Sequence, residues 1–216
     1  SASATVVSRG MPVMEAGKVA AAILNSTLVP TSIDYHNDRA EAVLAVRFEG
    51  SPGSVEAQVG RVAEMMGSSR SQTLAGEEEE ALWRQFDTIA HTTGEGTVLA
   101  RLIAPVTELP GLVGSVEKTA REAGTKILVR AHLGHGHALL RWHELSTGEA
   151  VRLLRDLRRQ AEACGSNLVI WRAPADVRSQ VDAWGDAGEG VGLMRRIKAQ
   201  FDPQGTLNPG RFVGGI

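Results

Sequence analysis

The order of secondary-structure signals along the chain runs through one pattern twice, and this repetition restricts the possible folds more than any motif does. Residues 5–75 read as strand, helix, strand, strand, helix, strand. Thr5–Ser8 is a short apolar strand, and the alanine-rich Val13–Asn25 places Val19, Ala22 and Ile23 at helical spacing. Pro30 opens an extended segment, Thr31–Tyr35, and Asn37–Asp38 supply turn chemistry. Ala42–Phe48 is a nearly continuous apolar run bounded by charge and Gly50, as in a buried strand. Ser51, Pro52 and Gly67 punctuate a helix whose Val55, Val59, Val62 and Met66 share one face. Arg70–Leu74 completes the set as a fourth strand.

Residues 97–172 follow the same order. Thr97–Ile103 is a strand, and Thr107–Ala123 a helix with Leu109, Leu112, Val113, Val116 and Ala120 on one side. Lys126–Ala131 and Gly136–Trp142 are strands, Ser146–Cys164 is a strongly amphipathic helix, and Asn167–Trp171 is the last strand. Between the halves, Glu77–His91 reads as a connecting helix whose four leading glutamates suit the positive end of the helix dipole. The halves share a pattern without evident sequence identity. Each matches a split β-α-β, ferredoxin-like unit. The expected fold class is α+β: two ferredoxin-like repeats forming an antiparallel sheet with helices on one face, followed by C-terminal helices. The expected division is one domain over 1–216, with repeat one at 5–75, the linker helix at 77–91, repeat two at 97–172 and a tail at 174–216.

Composition narrows the function classes. A chain of 216 residues with 43% hydrophobic content can bury a core. A net charge of −2 provides no basic face for nucleic acid and no polybasic membrane patch. No apolar run approaches the roughly 20 residues of a transmembrane segment. The single cysteine, Cys164, has no internal disulfide partner, which points to a reducing compartment such as the cytoplasm. The start, SASATVV, lacks the basic and apolar regions of a signal peptide. It also lacks an initiator Met, as expected of a piece of a longer protein.

Chemistry-bearing residues concentrate in Arg130–Trp142, which holds His132, His135 and His137 separated by Gly134 and Gly136. Strand alternation puts His135 and His137 on one face, and a hairpin brings His132 near them. Three imidazoles suit a borderline divalent metal, but the nearest carboxylate is Glu144, so ligation is incomplete. The competing reading is a glycine-rich hairpin with solvent-facing or stacked histidines. Elsewhere, Gly188-Glu189-Gly190-Val191-Gly192 follows no strand of a β-α-β unit and reads as a helix start, not a dinucleotide loop. Arg152, Arg155, Arg158 and Arg159 read as a solvated helix face, and Cys164 as a buried structural thiol. In the tail, Asp202-Pro203-Gln204-Gly205 and Asn208-Pro209-Gly210 form two closely spaced turns, leaving Leu207, Arg211 and Phe212 on a fixed path suited to docking.

The tail resembles the C-terminal end of FAD-linked oxidases of the vanillyl-alcohol oxidase superfamily, which reads FDP-x-G-x-x-NPG-[RK]. Here Phe201-Asp202-Pro203, Gly205 and Asn208-Pro209-Gly210-Arg211 carry the match, with Lys198 in the preceding helix. The segment GEEEEALWRQF resembles that group's E-x-x-x-LW helix. Within the family, the FAD-binding subunits of bacterial glycolate oxidase are the most similar group, with D-lactate and D-2-hydroxyglutarate dehydrogenases as relatives. The resemblance implies the substrate-side (cap) domain of an FAD-dependent 2-hydroxy acid oxidase. FAD is then held mainly by a glycine-rich N-terminal domain that is not within this chain, and the fragment alone is expected to be inactive and to retain no FAD.

Relatives also carry H-x-G-D-G-N-x-H where this chain reads His132-Leu133-Gly134-His135-Gly136-His137-Ala138-Leu139. Leu139 stands at the second metal-ligand position and cannot coordinate, so no metal is expected. The resemblance places His132, His135 and His137 on the substrate side and Asn208 and Arg211 on the flavin side. It implies a small 2-hydroxy acid such as glycolate, other subunits of an oxidase complex as partners, and membrane association only through those partners. Two other readings remain at this level: a non-catalytic assembly subunit, and a free-standing ferredoxin-like metal- or ligand-binding module.

Overall fold

Two four-stranded halves join edge to edge into one eight-stranded antiparallel sheet. The computed structural model describes residues 1–38, 40–91, 94, 96–186 and 188–216. The first half comprises β1 (Ala2–Arg9), α1 (Val13–Leu24), β2 (Ser32–Asn37), β3 (Ala42–Gly50), α2 (Pro52–Met66) and β4 (Ser71–Leu74). Helix α3 (Glu77–His91) follows. The second half comprises β5 (Val98–Ile103), α4 (Leu109–Glu122), β6 (Ile127–His132), β7 (His137–Trp142), α5 (Thr147–Ala163) and β8 (Asn167–Arg172). The tail adds α6 (Ala175–Arg178), α7 (Val191–Phe201) and a closing 3-10 turn.

The strand order is β4-β1-β3-β2-β6-β7-β5-β8. Each half is therefore the ferredoxin-like order, and the second is the mirror sequence of the first across the β2–β6 seam. This is the α+β class with two repeats that the pattern of apolar runs predicts.

Alternation sorts the strand residues onto two faces. One face carries Val6, Tyr35, Leu44, Phe48, Ala100, Val129, Leu140 and Trp142, and packs against α1, α2, α4 and α5 in one continuous core. Each large apolar side chain removed from water there contributes about 1.5–3 kcal/mol. Helix α5 starts with a capping box: Ser146 accepts from the Glu149 amide, and the Glu149 carboxylate accepts from the Ser146 amide. The halves also meet through their helices. At Gly17 of α1 an added Cβ would lie 2.5 Å from Cγ of Pro110 in α4, so the missing side chain is what allows this close approach.

Helix α3 does more than connect the halves. It lies on the opposite face of the sheet, where Leu82 and Phe86 bury against Val7, Val43, Ala45 and Leu74. Of its four leading glutamates, Glu79 is buried rather than solvated. Its carboxylate accepts from the hydroxyls of Ser3 and Thr5 and pairs with Arg47. Two further sequence readings are corrected. Cys164 is exposed, because Ala161 is the last residue of α5 to reach the core. Arg155 and Arg158 are not simply solvated: Arg158 donates to the Leu168 carbonyl of β8 and Arg155 to the Gln180 carbonyl beyond it, which fastens both to α5.

Two glycines in helices should respond oppositely to substitution. Gly17→Val should cost about 1–3 kcal/mol through overpacking against Pro110. Gly60→Ala in α2, where the new methyl meets nothing within 4 Å, should stabilise by up to about 1 kcal/mol. Urea unfolding of the two variants beside the parent chain measures both.

Candidate functional site

Helix α3 covers the first-repeat half of its sheet face and leaves much of the second-repeat half open. The registers bring one row of side chains across that face. Asp34 of β2 pairs with His132 of β6, His132 with His137 of β7, His137 with Ile103 of β5, and Ile103 with Asn167 of β8. The next row holds His36, Arg130, Leu139, Arg101 and Val169. Exposed Ile103, at 43%, pairs with His137, and exposed Trp171, at 51%, lies on the edge strand β8 against Arg101; no described element covers either.

Asp34 is fully buried and is the best-supported group of the site. Its Oδ1 accepts from Ser32 Oγ at 2.6 Å and lies 2.9 Å from His132 Nδ1; its Oδ2 lies 2.9 Å from Arg130 Nε. Burial pushes the carboxyl upward, but the His132 and Ser32 hydrogen bonds and the Arg130 charge outweigh it and hold its pKa below the usual carboxylate value. Asp34 is thus an anion at neutral pH, aimed at His132. Arg130 reaches on to Asp87 of α3 and lies over the rings of Trp83 and Phe86. Arg141 donates to the carbonyls of Thr88 and Ile89 at the end of the same helix.

His132 and His137 stack with ring centroids 4.3 Å apart and planes tilted by 31°. Burial, followed by the charges of His132 and Arg101, pushes the His137 pKa down to about 4, so His137 is neutral at pH 7. His135 takes no part in this pair. It sits exposed in the β6–β7 turn, so the structure joins His132 with His137 instead of His135 with His137. Gly136 is required at that turn: its φ is +73°, and a Cβ would fall 2.3 Å from the Ala104 carbonyl oxygen. The turn is thereby held against the end of β5, where the Ala104 amide donates to the Gly136 carbonyl.

Leu139 is buried on this face between Arg130 and Arg101, one row away from the histidines. Among the described residues, no group of three or more His, Cys, Asp or Glu side chains is arranged to hold a metal ion.

Asn208 and Arg211 belong to a separate region. With Met194, Ile197, Leu207 and Phe212 they line a groove in the tail, beyond the β8 edge. The tail's path is fixed internally. Asp202 accepts from the amides of Thr206 and Leu207 and from Lys198, which holds its carboxyl well below the usual range. The Trp184 indole donates to the Arg211 carbonyl and meets Phe212 edge-on. Helix α7 has no buried residue, and its Leu193, Ile197 and Phe201 are exposed.

The sequence-based reading did not single out Asp34, Arg101 or Arg130. A signal for them exists: charged side chains at alternating positions inside otherwise apolar strands are costly unless paired or used.

Residues 10–157 and 185–212 match the family described as FAD linked oxidases, C-terminal domain. The chain belongs to this family. FAD is the family's cofactor, held largely by a different domain. Solved structures agree at the level of fold. Alkyldihydroxyacetonephosphate synthase is similar with a TM-score of 0.57 at 10% identity, over 94% of this chain and 43% of that one. A xylooligosaccharide oxidase from Myceliophthora thermophila C1 gives 0.53 at 12% identity, over 94% and 53%. A glucooligosaccharide oxidase from Acremonium strictum gives 0.52 at 10% identity, over 93% and 52%. The chain thus spans about half the length of the structures it matches, or less. Among the described residues, no helix is long and apolar enough to cross a membrane.

The buried histidines should make the domain acid-sensitive. Burial pushes His36, stacked on Phe86, down to about 4 from its ordinary 6.5. Between those values the unfolded chain binds the extra proton and the fold does not. Stability is therefore complete above pH 6.5 and declines as pH falls toward 4, by about 3 kcal/mol for His36. Urea unfolding at pH 7, 5.5 and 4 should show this loss, and His36→Phe should flatten it.

Proposed function

We propose that this chain is the substrate-side domain of an FAD-dependent oxidoreductase of the glycolate-oxidase type, acting on a small 2-hydroxy acid. The observation that carries the reading is the row Asp34–His132–His137, which runs from the buried seam at β2 onto the uncovered half of the sheet. An open sheet face with an apolar edge of Ile103, Val169 and Trp171 suits covering a planar ring system presented by another domain. It does not suit enclosing a dinucleotide, which needs a nest of backbone amides. Asn208 and Arg211, with the unburied apolar side of α7, are assigned to the flavin side of the assembly.

FAD, when bound, supplies the hydride acceptor. The protein's own contribution is the proton. Asp34 accepts from Nδ1–H of His132, which fixes the tautomer and leaves the Nε2 lone pair as a base. The substrate hydroxyl proton passes to Nε2, and the buried Asp34 carboxylate stabilises the resulting imidazolium. His137, kept neutral by burial, packs beside His132 without opposing its charge. His135, exposed in the turn, is assigned to the mouth of the site.

A second reading is a non-catalytic assembly subunit of a flavoenzyme complex. It is favoured by Leu139 at the family's ligand position and by the exposed apolar residues of α7. His132→Asn in the flavin-loaded protein separates the two. The catalytic reading expects turnover of glycolate or a related 2-hydroxy acid to fall about 10²–10⁴-fold at unchanged flavin content. Unchanged turnover in the complex would leave the assembly role.

A further inference from the structure

One buried titratable group beneath α3 plays no part in the proposed chemistry. His36 of β2 is 2% exposed, and its ring lies flat on Phe86 of α3, with centroids 4.5 Å apart and planes 5° from parallel. Among the described residues, no hydrogen-bond partner meets its buried Nε2. A neutral imidazole in such a stack serves as an aromatic spacer. A protonated one has two N–H donors to satisfy and a charge to place. A cavity of about 220 Å³ lies where α3 meets the ends of β1, β2 and β3, lined by His36, Phe86, Gln85, Arg9, Asp38 and Glu41.

The two halves of α3 are held differently. The N-terminal half is anchored by Glu79, bonded to Ser3, Thr5 and Arg47, and by buried Leu82. The C-terminal half is held by the Phe86–His36 stack, the Asp87–Arg130 pair and the bonds from Arg141 to the Thr88 and Ile89 carbonyls. We infer that His36 is an acid-sensitive latch: protonation of its ring breaks the stack on Phe86 and frees the C-terminal half of α3 while the sheet stays folded. The charges facing His36 are mixed. Asp34 on the same strand and Asp38 just beyond it favour the imidazolium, and Arg130 and Arg141 from the neighbouring repeat oppose it. Across the cavity Glu41 is paired with Arg9, and Asp87 of α3 with Arg130. Burial dominates, so the latched ring takes up a proton only near pH 4, whereas a ring released to water does so at its ordinary 6.5. Between those values the released form holds one proton more and gains on the latched form as pH falls. The cavity offers the charged ring a place near the Asp38 and Glu41 carboxylates. Release takes Asp87 from Arg130 and two carbonyls from Arg141, which removes one bank of the open region before the fold is lost.

The test is hydrogen exchange at peptide resolution on the intact protein, read as protection factors so that the pH dependence of intrinsic exchange drops out. From pH 7.5 to pH 5 the ratio of released to latched α3 should rise about 30-fold, and protection of the amides of residues 85–89 should fall by that factor. Amides of α5 and β3 should keep theirs. His36→Phe retains a ring on Phe86 and has nothing to titrate, so it should hold α3 protection constant over the same range. His36→Leu is the measured variant if the Phe form does not fold. Asp87→Asn removes that carboxylate's own titration and should leave the acid response in place.

Parallel loss of protection in α3, α5 and β3 shows acid acting on the whole fold and overturns the latch. Unchanged protection of α3 at pH 5 overturns it too. A loss confined to α3 that persists in His36→Phe belongs to another group and overturns the role of His36. A loss that disappears in Asp87→Asn belongs to that carboxylate and does the same. None of these readouts involves flavin or turnover, so they stand apart from the proposed oxidation.

Discussion

The buried carboxylate of Asp34 holds the two halves of the molecule at their seam. It belongs to β2 of the first repeat, and two of its three partners, Arg130 and His132, belong to β6 of the second. Taking a carboxylate fully out of water is costly unless every lone pair is answered. Here the answer comes from the neighbouring repeat. Backbone pairing between two sheet edges alone tolerates slippage, because every register offers similar hydrogen bonds. A buried charge that finds its partners only at Asp34↔His132 removes that freedom. The same contact orients His132, so the interaction that sets the sheet's register also sets the tautomer of the proposed base.

Helix α3 shows how one sheet can be closed on one part and open on another. The repeat helices all lie on the opposite face, so the halves by themselves would leave this whole face bare. Phe86 and Leu82 cover the first repeat, Asp87 meets Arg130, and the carbonyls of Thr88 and Ile89 take Arg141. The helix thereby forms one bank of the open region. Beyond it, Trp171 and Ile103 remain available to whatever completes the site.

Much of the fold was legible because periodicity reports burial directly. Val55, Val62 and Met66 face the core at helical spacing, and Leu44, Val46 and Phe48 do so at strand spacing. Strand order was not legible, since it depends on which edges meet, and nothing local to β2 or β6 announces the seam. The site was half legible. The histidine-rich turn stood out by composition, yet strand alternation paired His135 with His137 where the structure pairs His132 with His137, and it gave no sign of Asp34. A lone aspartate in a short strand looks unremarkable until the partner strand from some 98 residues away is known. Arg130 was missed for the same reason: its partners, Asp34 and Asp87, come from β2 and α3, far from it in sequence.

The row across the sheet draws Asp34 from one repeat and His132 and His137 from the other. Neither repeat contains the constellation alone. If the halves descend from a common unit, the chemistry is younger than the unit: it arose when two edges fused and a position in each became the neighbour of the other. Of the counterpart positions in the two halves, those of the first lie beneath α3 and those of the second are left largely uncovered.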